Sequence, residues 1–353
     1  MEKNTKPLIS VVMPIFIHKD WQLKAAIKSI LNQTYENIEL IIVDGSSTSK
    51  NYNIIKCFND SRIIYYKTKG YINCLNLGIA KSRGEYIARM DSDDISYKTR
   101  IEEQYEFLRN NKDVDMCSVQ AKLFGDISCH NKITDYPTHL DFISFVTKHP
   151  IVHPAIMFRR KLNVKYMQFM PMEDCYLFRE LLCNGVKIAN LDRVLYSYRI
   201  NSNSLMCRYS KYCSFRLLQF NIYFLGKYMN ENLSFYKDFF TKKSFCYEDL
   251  CDFVKYSHIL STKFENEIDI YNMFNPYWRY IISNINDISF KYIWILFNSN
   301  MYPYIQKMIE EKLSLILKFC FQLNNKYVNN KKTKFLTILG IKIPLKFIPP
   351  RNI

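Results

Sequence analysis

Three acids in four positions, Asp91-Ser92-Asp93-Asp94, directly follow the apolar run at residues 86–90. Like charges this close repel unless a cation sits between them. Hard divalent ions want oxygen ligands and commonly take one or two carboxylates plus substrate phosphates. If the segment stays extended, Asp91 and Asp93 project to one side as candidate metal ligands. Asp94 then points away, toward capping the helix that follows. Asp44 ends the run IELIIV. A carboxylate there can accept from a base N–H or from ribose hydroxyls, or it can simply form a turn. Glu173-Asp174 opens a helix, either as a general base or through the ordinary preference for acids at a helix N-terminus. His149 and His153 each precede a proline, a pairing that reads as a structural turn. No companion Cys or His stands at ligand spacing, which argues against zinc.

These residues need strand ends and helix starts to hold them. Residues 8–13 (LISVVM) are a strand-like run closed by Pro14. Residues 21–31 put Leu23, Ile27, Ile30 and Leu31 on one helical face, with Asp20 as the N-cap. Strand patterns follow at 38–43, 62–66 and 84–90. Helix patterns lie at 72–81, with Leu75, Ile79 and Ala80 inward, and at 99–110. This alternation predicts an α/β fold with a largely parallel sheet covered on both faces. Ligands of such sheets bind beyond the carboxyl ends of the strands, where Asp44 and Asp91–Asp94 fall. Downstream, AIMF reads as a strand, residues 175–183 as a helix ended by Asn184-Gly185, and 188–191 and 194–198 as two strands.

The chain has 353 residues and a net charge of +16. The composition, 48% hydrophobic and 23% charged, is that of a folded globular protein and excludes a disordered or collagen-like one. The basic excess predicts an acidic partner: phosphates, nucleic acid or an anionic membrane surface. No run reaches the ~18 apolar residues of a membrane-spanning helix, and residues 1–6 lack a signal peptide's apolar core. The 11 scattered Cys contain no CxxC and read as free buried thiols of a reducing compartment. A P-loop, a GxGxxG fingerprint and a GxSxG elbow are all missing from the sequence.

Together the motifs resemble inverting family 2 glycosyltransferases of the GT-A fold, a mixed, mostly parallel Rossmann-like sheet flanked by helices. The matching segments are SVVMPIF, AIKSILNQTYENIELIIVDGSST, LNLGIAKSRGEYIARMDSDDIS, HPAIMFRR, MEDCYLFRELLCNGVKIANL and YRINSNS, in that order over residues 8–205. The resemblance implies a GT-A catalytic domain over 1–205, with a nucleotide-binding half at 8–95 and an acceptor half at 96–205. A mostly helical region follows at 206–353. By the same resemblance Asp44 reads the nucleobase, and Pro14 and Phe16 border the nucleotide pocket. Asp93 is the main ligand of Mn2+ or Mg2+, and Asp91 lies near the ribose or metal. Asp174 is the catalytic base; Asp94, Arg100 and Glu173 are supporting residues of the site, with Arg100 bracing the acidic loop. Gly45, Ser49, Ala155 and Asn201 depart from residues frequent in the family. Asn201 stands where many members carry a histidine, which removes one imidazole contact.

The implied reaction moves a sugar from a nucleotide-diphosphate sugar, expected to be a UDP-sugar, to a hydroxyl of a glycan or lipid-linked acceptor in cell-envelope synthesis. Two competing readings are a nucleotide-sugar-forming nucleotidyltransferase and a basic nucleic-acid-binding protein. The first would need a glycine-rich phosphate loop, and residues 8–20 contain no Gly. The second would need aromatics interleaved with basic residues on an exposed face, whereas most Tyr and Phe here lie among Ile and Leu; no nucleic acid is expected. Residues 301–353 carry ten Lys/Arg and two acids, and residues 304–323 read as a basic amphipathic helix. The expected location is cytoplasmic, either with peripheral contact to an anionic surface at the inner membrane's cytoplasmic face or with this helix packed on the catalytic domain and its Lys residues solvated.

Overall fold

The computed structural model describes residues 6–16, 19–125, 131–147, 149–169, 172–201, 220, 223–224, 227–228, 335–338 and 341–344. The chain divides into two compact units.

In the first unit, β1 (Ile9–Ile15), β2 (Ile38–Asp44), β3 (Ile63–Lys67) and β4 (Tyr86–Arg89) alternate with α1 (Asp20–Leu31), α2 (Lys50–Lys56) and α3 (Tyr71–Lys81). Beyond them come β5 (Ile95–Ser96), α4 (Arg100–Asn110), β6 (Met116–Gly125), β7 (His139–Leu140), α5 (Phe142–Thr147), β8 (Met157–Arg159), α6 (Glu173–Cys183) and β9 (Ile188–Ile200). Among the described residues the strands form one sheet in the order β3-β2-β1-β4-β8-β6-β9-β5, with β7 also pairing with β9. The β3-β2-β1-β4 half is parallel. β8 runs antiparallel to both β4 and β6, and β6 is parallel to β9. The sheet is therefore mixed, as expected of a GT-A fold.

Every residue of β1, β2 and β4 is buried, which is why their sequences run apolar rather than alternating. Glu39, the acid inside IELIIV, is satisfied in place: it accepts from Ser10 Oγ at 2.6 Å and from the Arg83 N–H at 2.8 Å. α3 lies close on β1 because Gly78 leaves room there; a Cβ at that position would sit 2.4 Å from Val12 Cγ1. Beyond β9, Phe220 and Phe224 are buried and pack against Tyr176 of α6.

Several sequence expectations are corrected. β1 continues through Pro14 to Ile15, because as the donor-less residue of a parallel strand it costs only one ladder bond. α1 begins at Asp20, with Lys19 rather than Asp20 as N-cap. Ala80 faces solvent, since α3 buries Ile72, Cys74, Leu75 and Gly78 instead. The two strands read at 188–198 are one strand, β9, whose pairing with β6 shifts register near Gln120. Cys57 is exposed, while Cys74, Cys117 and Cys175 are buried free thiols.

In the second unit, β10 (Phe335–Ile338) and β11 (Ile341–Pro344) form an antiparallel pair. The amphipathic helix expected at 304–323 lies outside the described residues.

Candidate active site

β1 pairs with β2 on one side and β4 on the other, with Ile15 opposite Asp44 and Val12 opposite Arg89. The carboxyl ends of β2 and β4 are thus two strand spacings apart, about 10 Å. Asp44 occupies one end and the acidic turn the other.

Asp44 is fully buried. Its Oδ1 accepts from the Ser46 N–H at 2.8 Å and from Asn51 Nδ2 at 3.2 Å, and its Oδ2 accepts from Tyr65 Oη at 3.0 Å. A carboxylate offers about four acceptor sites, so three donors leave it room for one more. Pro14 is buried in β1 beside Val43. The half-buried Phe16 ring lies 5.9 Å from the Tyr71 ring and covers Gly45, where a Cβ would come within 2.2 Å of it. A methyl at residue 45 would therefore require the ring to move.

Residues 92–94 turn rather than staying extended. Asp91 Oδ1 pairs with Arg89 Nη2 at 2.9 Å. The Asp93 carbonyl accepts from Arg199 Nε at 2.8 Å. Burial first, and the neighbouring Asp91 second, push the Asp93 carboxyl up to about 6. Asp94 does not cap α4; Thr99 stands at the N-cap. The turn instead swings Asp94 into the interior, 1% exposed, where it accepts from the Arg199 N–H at 2.7 Å and from Tyr196 Oη at 2.9 Å. Burial, Asp93 and Asp91 raise its carboxyl well above the usual range. With Asp94 turned inward, Asp91 and Asp93 remain as the two hard-oxygen donors of the turn, a number that a divalent cation commonly takes alongside substrate phosphates. Arg100 is fully buried, donates from Nη1 to the Arg89 carbonyl at 3.0 Å and stacks over Tyr196.

Arg89, Tyr196 and Arg199 escaped the sequence reading. Arg89 is 3% exposed, touches the Tyr71 hydroxyl and pairs with Asp91, while its Nε and Nη1 have no hydrogen-bond partner among the described residues. A guanidinium inside the four-residue buried strand YIAR is the signal that could have found it, since a buried charge must be paired. Arg199 lies within the YRINSNS segment, its guanidinium between the rings of Phe124 and Trp21 at 4.2 and 4.8 Å.

The first turn of α6 carries Glu173 and Asp174. Burial and then Asp174 push the Glu173 carboxyl up to about 8, and its Oε2 has no partner. Asp174 is partly open, its side chain 21% exposed. Its Oδ1 accepts the Cys175 N–H at 2.7 Å, and its Oδ2 lies 3.2 Å from His149 Nε2 and 3.6 Å from His153 Nδ1. Burial works against the Asp174 carboxylate, but His149 foremost, and the Cys175 N–H, hold it well below the usual range. The two His-Pro pairs are therefore not merely turns: they deliver both imidazoles to one carboxylate. His149, Asp174 and Cys175 bring ligand-type atoms within 4.8 Å of one another. However, His149 turns Nε2 to Asp174 and Nδ1 to Cys175, 3.6 Å from its Sγ, so the three read as a chain rather than as ligands converging on one ion.

Among the described residues no helix is long and apolar enough to cross a membrane. A profile described as Glycosyl transferase family 2 matches residues 10–167. An uncharacterized glycosyltransferase of Methanocaldococcus jannaschii is 30% identical over 249 residues, covering 67% of this chain and 86% of its own. The O-antigen biosynthesis glycosyltransferase WbnJ of Escherichia coli is 32% identical, covering 56% of this chain and 81% of its own. The Escherichia coli UDP-Glc:alpha-D-GlcNAc-diphosphoundecaprenol beta-1,3-glucosyltransferase WfaP is 30% identical, covering 56% and 79%. Among solved structures, residues 1–349 of S. aureus TarS in complex with UDP-GlcNAc share the fold at a TM-score of 0.51 and 14% identity, over 80% of this chain and 93% of that one. This chain belongs to glycosyl transferase family 2.

Proposed function

We propose that the protein transfers a sugar from a UDP-sugar, with inversion and with a divalent metal, to a hydroxyl of a glycan or lipid-linked acceptor in cell-envelope polysaccharide synthesis. The observation that carries this reading is the shared carboxyl edge of β2 and β4, with Asp44 at one end and the acidic turn that bears Asp91 and Asp93 at the other. A uridine and its diphosphate have the reach to span these two points. The activity of WfaP, from a UDP-sugar to a diphosphoundecaprenol-linked acceptor, supports both donor and acceptor class, and the UDP-GlcNAc bound by TarS supports the base.

In this reading Asp44 accepts from the base, beside Pro14 and Phe16. Asp91 and Asp93 hold Mn2+ or Mg2+. Bound there, the ion would screen the leaving diphosphate's charge as a Lewis acid and template. Asp174 takes the acceptor hydroxyl's proton as that oxygen bonds to the anomeric carbon. The carbon–oxygen bond to the diphosphate breaks, and its electron pair leaves with the nucleoside diphosphate. One displacement inverts the centre, and no carboxylate nucleophile is needed, unlike retaining glycosidases. Arg100 braces the acidic turn from behind, and Glu173 and Asp94 support it. The catalytic domain is assigned to 1–205, and the basic excess of residues 301–353 is assigned to peripheral contact with the anionic cytoplasmic face of the membrane. Flotation with anionic liposomes, with and without residues 301–353, tests that contact.

The deciding experiment compares wild type with Asp174→Asn across a panel of nucleotide sugars. Turnover should fall ~10²–10⁴-fold, the usual worth of a positioned acid–base group, while donor binding by calorimetry stays within about twofold. Unchanged turnover, or lost donor binding, overturns the assignment.

A further inference from the structure

Asp174 is held from two sides by imidazoles that arrive on different segments. His149 lies after α5, and His153 opens the short 3-10 turn His153–Ala155. The two differ in surroundings. The His149 ring packs on Phe145 and Phe178, at 5.9 and 5.6 Å between centroids, and places Nε2 3.2 Å from Asp174 Oδ2, an ion-pair distance without the alignment of a hydrogen bond. His153 is more deeply buried; its Nε2 lies 2.7 Å from Tyr166 Oη, and its Nδ1 is farther from the carboxylate. Tyr166 is itself anchored, its backbone N–H donating to Asn76 Oδ1 at 2.8 Å.

We propose that His149 is a positioning residue for Asp174, the imidazolium that fixes the carboxylate's orientation and keeps it ionised while one lone pair stays open to the acceptor hydroxyl. This rests on the reading of Asp174 as the base. A base can only accept a proton if it is charged before the acceptor arrives, and burial opposes that charge. His149 supplies the opposite charge at contact distance. The Cys175 N–H fixes Oδ1 at 2.7 Å, so the carboxyl group cannot rotate away. His153, neutral and committed to Tyr166, contributes shape rather than charge.

The other groups around the pair are accounted for. From α6 come Glu173, Cys175 and the buried Arg179, whose Nη1 donates to the Cys175 carbonyl at 2.9 Å and whose Nη2 donates to the Phe145 carbonyl. From β4 comes Arg89, whose charge disfavours a second imidazolium at His153. Burial works against a charged His149, but Cys175 and Asp174 overcome it and raise the imidazole to about 10.

The test uses full-length protein and two variants. His149→Phe keeps the ring's packing on Phe145 and Phe178 but removes both nitrogens; His149→Gln keeps an N–H donor without the charge. The acid limb of kcat against pH should move to higher pH by about 1–3 units in both variants, the usual effect of removing an adjacent opposite charge. Above the limb, kcat should fall about tenfold to a hundredfold through misorientation, with KM for both substrates within about twofold. A limb that stays in place, even with a lower Tm, makes His149 merely structural and overturns the proposal. If neither variant folds, histidine NMR of wild type against Asp174→Asn decides. One imidazole should titrate well above about 6.5 in wild type and at or below it once the carboxylate is gone; no such difference overturns the proposal. If Asp174→Asn leaves transfer intact, the underlying assignment of the base has failed instead, which is a separate result.

Discussion

Tyr196 ties the two ends of the acidic turn together: its Oη donates to Asp94 Oδ2 at 2.9 Å and accepts the Asp91 N–H at 3.3 Å. The strand β9 thereby fixes a loop that starts at the end of β4, more than a hundred residues earlier in the chain. Tyr196→Phe leaves the ring's packing under Arg100 in place but strands a buried carboxylate oxygen. An unmet buried acceptor costs about 1–3 kcal/mol. Thermal unfolding should show a lower Tm, and Mn2+ titration a weaker site, because Asp91 and Asp93 lose the frame that spaces them. An unchanged metal affinity would mean that the turn holds its shape without β9.

Asp93→Asn tests the acidic turn directly. The substitution keeps the side chain's volume and removes the charge that a cation and a diphosphate would share. Transfer should fall to a small fraction of wild type while Tm holds or rises, since a carboxyl raised by burial and by Asp91 is a source of repulsion in the metal-free fold. Wild-type rates under limiting manganese would remove Asp93 from the reaction.

The carboxyl-edge placement of Asp44 and Asp91 was legible in the sequence because strand and helix patterns are local. A run as apolar as IELIIV, with one acid in six residues, reads as a doubly covered strand, and the residue after it falls at a strand end. What stayed hidden was set by contacts between distant segments. Nothing local to Asp94 says that the chain turns at Ser92 and drives it under β9 rather than toward α4. The side chains of His149 and His153 meet that of Asp174 across more than twenty residues of chain, and a His-Pro dipeptide carries no mark of that meeting. Arg89 was the missed opportunity, a charge inside an apolar strand whose cost called for a partner.

The nucleotide end of the site is probed by a pair of variants. Asp44→Ala removes the carboxylate that Ser46, Asn51 and Tyr65 all address. The donor dissociation constant should rise more than kcat falls. Gly45→Ala leaves Asp44 intact but drives a methyl into the Phe16 ring, the far end of a movable side chain. Its Tm should change little, because the ring can swing aside, and donor affinity should fall. Equal donor affinity in Gly45→Ala and wild type would show that Phe16 does not border the bound nucleotide.

His153 gives the fold a specific acid sensitivity. The ring is buried, 7% exposed. Burial first, and the charge of Arg89 second, hold its imidazole well below the ordinary value, so it is neutral in the native state. In the unfolded chain it titrates at about 6.5. Below that pH the unfolded state carries one proton more than the folded state, so stability falls as pH falls. The slope is about 1.4 kcal/mol per pH unit until the folded value is reached. Above about 6.5 both states are neutral and the group contributes no slope. His153→Gln retains a polar side chain next to Tyr166 and has nothing to protonate. Between pH 7 and pH 5 the wild-type Tm should therefore drop more steeply than that of His153→Gln, and the two curves should run parallel above pH 7. Parallel curves across the whole range would mean that His153 takes up its proton inside the fold, which its burial against Arg89 argues against.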